Sequence, residues 1–515
     1  MLNLATVNHG VPQITSTALF QSQQIRAIEG AAKKQLPVGA LMRAAGIAAS
    51  KLVIQLLPKA RGRVLILAGA GDNGGDALEV AYHLANEDLE VNVLWLGKEA
   101  QHSIEAQQSL HRAQQSSATW LTQDQVESMP LNHWDVVIDG LFGIGLNRAI
   151  EGKVATLISR INRQSTIHAV LILALDIPSG LLADTGQAFD AQHTVLRADH
   201  TITFIGNKIG LHTAMGKDYA GQIHVDNLGL DLSIYPATHT HLLLEKSFQH
   251  TIPKRLHDSN KGTYGDVCII GGSEGMSGAL LLAGRAALYS GAGRVYLGFA
   301  GSVPAFDPSH PELMCRHAQG LYFIHAVVVI GPGLGNSADA KLLVQGALQE
   351  ARILVIDADA LNLISEHEDL QVLVRSRTQQ KFSTVITPHP LEAARLLKTD
   401  AKTIQADRCA AATQLVQHLQ TCVVLKGAGT IIAFEDQLWI NSSGNPSLAT
   451  AGTGDVLTGV CAALLGQGLS VEHASCLAVY LHGKAADELV ASGIGPIGLS
   501  ASELIPSIRQ ALNRI

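Results

Sequence analysis

The sequence predicts an α/β protein built from two doubly wound, mostly parallel sheets, and three observations carry that expectation. Short apolar runs of strand length recur along the chain and alternate with stretches of helical periodicity. Ala, Leu and Gly supply the bulk while aromatics make up only 4%, which suits helices packed closely on parallel sheets. Most of the runs end in Gly, an acid, Lys or His, on the edge where open parallel sheets bind ligands. The 515 residues allow two large domains or about three smaller ones, and 47% hydrophobic content is ample for their cores.

Ser22 to Leu57 reads as helical, with Ile25, Ile28, Leu36, Leu41, Ala45, Ala48 and Leu52 at three- and four-residue spacing, closed by Pro58. Arg63 to Ala68 is a buried strand. Gly69, Gly71 and Gly74 then match a dinucleotide-binding spacing, but the following strand runs into Lys98 where an acid is expected, so an ordinary nicotinamide cofactor site is not predicted. Asp72-Asn73-Gly74-Gly75-Asp76 is read as a turn that offers backbone N–H groups to a phosphate and oxygens to a cation. Further strands end at Asp139 and Asp176, and a fourth runs from Ala198 to Phe204 ahead of Lys208. Successive ends of this kind converge on one face, so Asp76, Asp139 and Asp176 are expected to form a site.

Asp226 to Phe248 has no long periodic pattern, and the domain boundary is placed there, giving units 1–235 and 236–515. In the second unit, strands end at Gly271, at Gly331-Pro-Gly-Leu-Gly335, at Asp357 with Asp359, at His389, and at Lys426-Gly-Ala-Gly-Thr430. The stretch Asn445 to Gly459 opens as a Gly-rich loop and becomes an apolar helix. Gly452 and Gly454 let a ligand approach the backbone, helix-start N–H groups attract anions, and Asp455 sets a carboxylate beside them. That arrangement suits a base that deprotonates a hydroxyl next to a held phosphoryl group, although the same residues would serve an ordinary capped turn.

The motifs also carry a resemblance. Asp-Asn-Gly-Gly-Asp, Ile-Asp-Gly-Leu-Phe-Gly-Ile-Gly, Asp-Ile-Pro-Ser-Gly-Leu and Phe-Ile-Gly-Asn-Lys-Ile-Gly-Leu occur in one order and resemble the epimerase domain of NAD(P)H-hydrate repair proteins. Asp72 and Ala77 depart from that family's usual Asn and Gly. From about 250 to 510, Lys-Gly-Thr-Tyr-Gly, Gly-Pro-Gly-Leu-Gly, Asp-Ala-Asp-Ala-Leu-Asn, Thr-Pro-His-Pro-Leu-Glu, Lys-Gly-Ala-Gly-Thr and Ala-Gly-Thr-Gly-Asp-Val-Leu are similar to the hydrate dehydratase family. The resemblance implies a Rossmann-like first domain and a ribokinase-like second one. In the first it implies potassium at Asn73, Asp139 and Ser179, and acid/base work by Asp176 with Lys208. It places substrate phosphates on Asp72, Asn73, Gly74, Gly75 and Asp76 and on Gly143, Ile144, Gly145, Leu146, Asn147, Arg148 and Ala149. In the second it implies Asp455 as base, and the hydrate against Ala279, Gly333, Gly335 and His389. It puts ADP on Lys426, Gly427, Ala428, Gly429, Thr430 and Gly454, with Mg2+. The expected substrates are NADHX, NADPHX and ADP, handled by a homo-oligomer, a tetramer or octamer.

Thr453, where the family often has Met, keeps open an alternative: a ribokinase-like small-metabolite kinase fused to a non-catalytic binding or interaction domain. No long basic run exists and net charge is −7, so nucleic acid is not an expected partner. Met1 to Gly10 lacks a basic patch ahead of a long apolar core, and no run reaches the ~18 residues that span a bilayer. The six cysteines form no C-x-x-C pair and are expected to be reduced thiols of a cytoplasmic protein.

Overall fold

The computed structural model describes residues 17–515 except 58–61, 88, 98–102, 190–193, 250, 253, 320 and 322–324. Met1–Gly10, Pro58 and Lys98, on which the export, helix-end and cofactor expectations rest, lie outside the described residues.

The first sheet contains β1 (Gly62–Ala68), β2 (Leu89–Trp95), β3 (Thr119–Leu121), β4 (Val136–Gly140), β5 (Leu171–Leu175), β6 (His200–Phe204) and β7 (Gln222–Asp226). Their order across the sheet is β3-β2-β1-β4-β5-β6-β7, and every pairing is parallel. This is a doubly wound order whose direction reverses between β1 and β4, where such sheets open a crevice at their C-terminal edge. The pleat explains why helices cover both faces. On β1, Val64, Ile66 and Ala68 enter one core while Leu65 and Leu67 enter the other.

The second sheet contains β8 (Thr240–Leu243), β9 (Asp266–Gly271), β10 (Arg294–Phe299), β11 (Met314–His317), β12 (Ala326–Ile330), β13 (Ile353–Ile356), β14 (Ser383–Ile386), β15 (Cys422–Leu425), β16 (Ile431–Phe434) and β17 (Gln437–Asn441). The order is β11-β10-β9-β12-β13-β14-β15-β16-β17-β8, parallel except where the β15–β16–β17 hairpins run antiparallel. Val267 and Ile269 face one core, and Cys268 and Ile270 the other. Ile330, Ile356 and Ile386 lie side by side in register, so the residues that follow them emerge along one edge.

Several expectations need correction. Ser22 to Leu57 is two helices, Ser22–Lys33 and Ala40–Leu56, separated where Gly39 takes φ 74°, and Leu36 is exposed in the connection. The predicted turn 72–76 is the first part of the helix Asp72–Leu84. The patternless stretch 226–248 contains β8, which joins the second sheet beside β17.

The start of the described chain stitches the two sheets together. Leu19 N–H donates to Thr240 O at 2.9 Å, Leu242 N–H to Thr17 O at 2.7 Å, and Phe20 N–H to Asn207 O at 2.8 Å. Leu19 is buried in a core of the second sheet, and its neighbour Phe20 in a core of the first. None of the six cysteines forms a disulfide; four are buried, and Cys315 and Cys409 are half-buried. Among the described residues no helix is long and apolar enough to cross a membrane.

Candidate active sites

A cavity of about 520 Å³ opens at the reversal point of the first sheet. The ends of β1, β4, β5 and β6 and the segments that follow them line it, contributing Asp72, Asn73 and Asp76, the stretch Gly143–Arg148, Asp176, and Phe204 with Ile205. The helix Ser22–Lys33 closes it with Arg26, Glu29 and Lys33, which sequence reasoning missed. They recur at helical spacing on the face next to Ile25, Ile28 and Ala32, so the signal was present.

The glycine spacing here has a steric cause. A Cβ on Gly69 would meet Leu141 O at 1.9 Å, and one on Gly74 would meet Gly69 O at 2.0 Å. A Cβ on Gly71, by contrast, would meet nothing within 4 Å. Gly69 and Gly74 therefore allow strand, loop and helix start to touch, while Gly71 borders the cavity. Gly74 and Gly75 are buried in these packing contacts and do not line the cavity; neither does Ala149.

Behind the wall lies a set of oxygens. Ser179 Oγ donates to Asp139 Oδ1 at 2.6 Å, and Ser179 N–H to Asp139 Oδ2 at 2.8 Å. Asn73 Nδ2 donates to Phe142 O at 3.0 Å, which leaves its buried Oδ1 without a partner. Burial pushes the Asp139 carboxyl up to about 6, against the hydrogen bonds from Ser179 and Leu141. An orphaned buried amide oxygen beside a buried carboxyl, a hydroxyl and a carbonyl is a donor set suited to a hard cation.

Asp176 faces the cavity from the end of β5 with φ 64°, a left-handed conformation costly for a residue with a Cβ. It is held there by its own N–H, which donates to Ile202 O at 2.7 Å, and by Lys208 Nζ, which donates to Oδ1 at 2.5 Å. Lys208 is fully buried and also donates to Thr203 Oγ1 and Phe204 O, each at 2.8 Å. Asp76 is half-buried at the cavity. Its carboxyl is pushed well above the usual range by burial and by the nearby Asp176 and Asp72 carboxylates.

In the second sheet, β12 through β15 deliver Gly331–Gly335, Asp357, His389 and Lys426 to one edge. Lys426 Nζ donates to Asp357 Oδ1 at 2.7 Å, and Thr458 Oγ1 to Asp357 Oδ2 at 2.8 Å. Burial pulls the Lys426 ammonium down, but Asp357 and Glu392 outweigh it and hold the group above its ordinary value. Asp359 accepts from Gly335 N–H at 2.8 Å, which fixes the Gly-rich loop. The same loop brings Gly333 beside Ala279, where a Cβ would reach Ala279 Cβ at 3.4 Å.

Asp455 stands in the first turn of the helix Thr453–Gly466, whose N-cap Gly452 takes φ 88°. A Cβ on Gly454 would lie 3.4 Å from Lys426 Nζ, so the helix start and the ammonium face a common space. Burial and the Asp357 carboxylate push the Asp455 carboxyl up to about 7, with Lys426 opposing. A carboxyl half-ionised near neutral pH, beside an ammonium and helix-start N–H groups, is equipped to take a proton where negative charge is being stabilised. His389 caps the helix Pro390–Leu396: its Nδ1 accepts from Leu391 N–H at 3.1 Å, and its Nε2 lies 3.3 Å from Glu392 Oε1. Glu392 and Thr458 were not anticipated. Thr458 sits one helical turn after Gly454 and shares its hydroxyl hydrogen between that carbonyl and Asp357, a spacing the sequence displays.

Two family models match the chain. The one described as YjeF-related protein N-terminus covers residues 38–210, and the one described as NAD(P)H-hydrate dehydratase covers 267–509. The bifunctional NAD(P)H-hydrate repair enzyme of Coxiella burnetii is 37% identical over 96% of this chain and 100% of its own. The chain belongs to the family of bifunctional NAD(P)H-hydrate repair enzymes. The family's Escherichia coli member is also 37% identical, over 92% of this chain and 89% of its own. A crystal structure of an ADP/ATP-dependent NAD(P)H-hydrate dehydratase from Bacillus subtilis, co-crystallised with ATP/Mg2+, is 32% identical. It covers 53% of this chain and 97% of that chain, with a TM-score of 0.46. Within this family Thr453 is the departure that kept a kinase in view. Its hydroxyl shares its hydrogen between Leu448 O at 2.9 Å and Thr450 O at 3.0 Å, which braces the loop.

Proposed function

We propose that residues 1–235 interconvert the R and S epimers of hydrated NADH and NADPH, and that residues 236–515 dehydrate the S epimer with ADP, giving NAD(P)H, AMP and phosphate. Asp455, raised to about 7 beside Lys426 and the helix start, is the observation that carries the dehydratase half. Asp455 takes the proton of the hydrate hydroxyl as its oxygen attacks the β-phosphorus of ADP and AMP leaves. The ring nitrogen then expels phosphate, and loss of a proton from the adjacent carbon restores the double bond. Lys426 and the N–H groups at Gly454 offset the charge on the transferring phosphoryl group. The loop Gly427–Thr430 holds the nucleotide, and His389, Ala279, Gly333 and Gly335 contact the hydrate. Mg2+, accompanying the nucleotide, supplies further charge neutralisation.

In the first unit the ring nitrogen expels hydroxide to give an iminium, and water returns on either face. Asp176 accepts and returns the proton, held in place by Lys208. Substrate phosphates lie against Asp72, Asn73 and the 143–148 loop. Asn73, Asp139 and Ser179 hold potassium, which supplies fixed positive charge near the phosphates; the unpartnered Asn73 Oδ1 supports that assignment. The protein works as a cytoplasmic homo-oligomer. Incubating it with mixed NADHX epimers and ADP, and following absorbance at 340 nm, tests both halves. Full recovery of NADH is expected. Recovery of one epimer alone refutes the epimerase, and no recovery refutes the dehydratase. A stable phosphorylated product would point to a kinase instead.

A further inference from the structure

The hairpin loop proposed to hold ADP does not stand on its own half of the chain. Thr213, fully buried, reaches it from the first half and shares its hydroxyl hydrogen between Ala428 O at 3.2 Å and Gly429 O at 3.4 Å. Ala214 N–H donates to Ala428 O at 3.1 Å. The buried Arg408 donates from Nε to Thr213 Oγ1 at 3.3 Å, and its terminal nitrogens reach the carbonyls of Leu425 at 3.2 Å and Lys426 at 3.3 Å. Contact is tight enough that a Cβ on Gly429 would meet His212 O at 2.1 Å. Residues 211–266 lie between the two matched family segments, so the dehydratase model does not include this support.

A trans peptide sets its C=O and N–H on opposite sides. Fixing the carbonyls of Ala428 and Gly429 against Thr213 therefore turns the N–H groups of Gly429 and Thr430 away from the first half. We propose that Thr213 is a positioning residue for dehydration: it holds the 427–430 loop in the orientation that receives the nucleotide phosphates. This rests on the nucleotide reading above. The nucleotide site is then completed by the epimerase half, through a segment beginning five residues after Lys208.

The test compares Thr213→Val, which keeps the shape and removes the donor, with Thr213→Ser, which keeps the hydroxyl. Loss of a buried hydrogen bond predicts that Thr213→Val weakens ADP binding, and raises KM for ADP, by about tenfold. kcat and KM for the hydrate should stay within about twofold, and Thr213→Ser should restore the ADP values. Thr213→Ala, which removes the hydroxyl without adding bulk, gives a second route to the same KM effect if Thr213→Val does not fold. Unchanged ADP binding in Thr213→Val, or a loss spread equally over kcat, both KM values and melting temperature, would overturn the proposal. Wild-type protein that binds no ADP by calorimetry would overturn the nucleotide reading with it.

Discussion

If Asp455 is the base, dehydration must follow its ionisation. With the carboxyl at about 7, about one molecule in eleven carries the carboxylate at pH 6, half at pH 7, and about ten in eleven at pH 8. Only the carboxylate accepts a proton, so kcat/KM for (S)-NADHX at saturating ADP should rise about tenfold from pH 6 to pH 8 and level off above. Asp455→Asn keeps size and hydrogen bonding but removes the basic oxygen. It should lower the rate by about 100- to 10,000-fold, the usual worth of a positioned base, and flatten the profile. Epimerisation should persist, since Asp455 belongs to the other sheet's edge. Lys426→Met should move the remaining ionisation above 7, because the ammonium now opposes the rise. The assay is NADH formation at 340 nm with purified S epimer. A flat wild-type profile between pH 6 and 8, or an Asp455→Asn rate within tenfold of wild type, would refute the assignment.

Lys208→Met leaves the Asp176 carboxylate without its cation in a largely buried site and should cost about 3 kcal/mol in urea unfolding. Adding Asp176→Asn should recover part of that loss, and a strictly additive double mutant would argue against the pair. Gly74→Ala should prevent folding of the first half, because its Cβ would sit 2.0 Å from Gly69 O, whereas Gly71→Ala should leave melting unchanged and weaken substrate binding. His212 is buried and held neutral, its ring lowered to about 3 by burial and Lys217. Its contribution is complete above the unfolded value near 6.5 and falls by about 1.4 kcal/mol per pH unit below it, as the unfolded chain takes the proton. His212→Asn should thus show a shallower loss of urea midpoint from pH 7 to pH 5 than wild type; the buried carboxyls act in the opposite sense but are common to both. For the cation, KCl should raise the melting temperature more than NaCl at equal ionic strength, and Asn73→Ala should erase the difference.

The strands and their chemical tips were legible because burial on both faces writes near-continuous apolar runs, and because the chain must leave each run on one edge. Asp139, Asp176, Asp357, His389 and Lys426 were found this way. Asp455 was legible from glycines ahead of an apolar helix. The helical state of Asp72–Asp76 was not. Two adjacent glycines and two acids read as a turn, yet Gly74 and Gly75 are there because neighbours leave no room for a Cβ. β8 was hidden because a four-residue edge strand needs β17, about 200 residues later, to define it. Thr213 and Arg408 were out of reach for the same reason. Nothing local marks a hydroxyl that meets a loop 215 residues away.

Leu19 and Phe20 turn this separation into a question of modularity. Consecutive residues anchor in different cores, so no single cut in the chain divides the molecule cleanly. A fragment starting at residue 236 would lose the strand-like segment lying against β8, expose the groups of Thr240 and Leu242 that it satisfies, and leave a hole where Leu19 sits. A fragment ending at 235 would keep Phe20 in its own core but leave Thr17 and Leu19 without β8 to pair with. Shuffling either half between relatives therefore requires transplanting residues 17–20 with the recipient's own β8, or the hybrid begins with a mismatched seam.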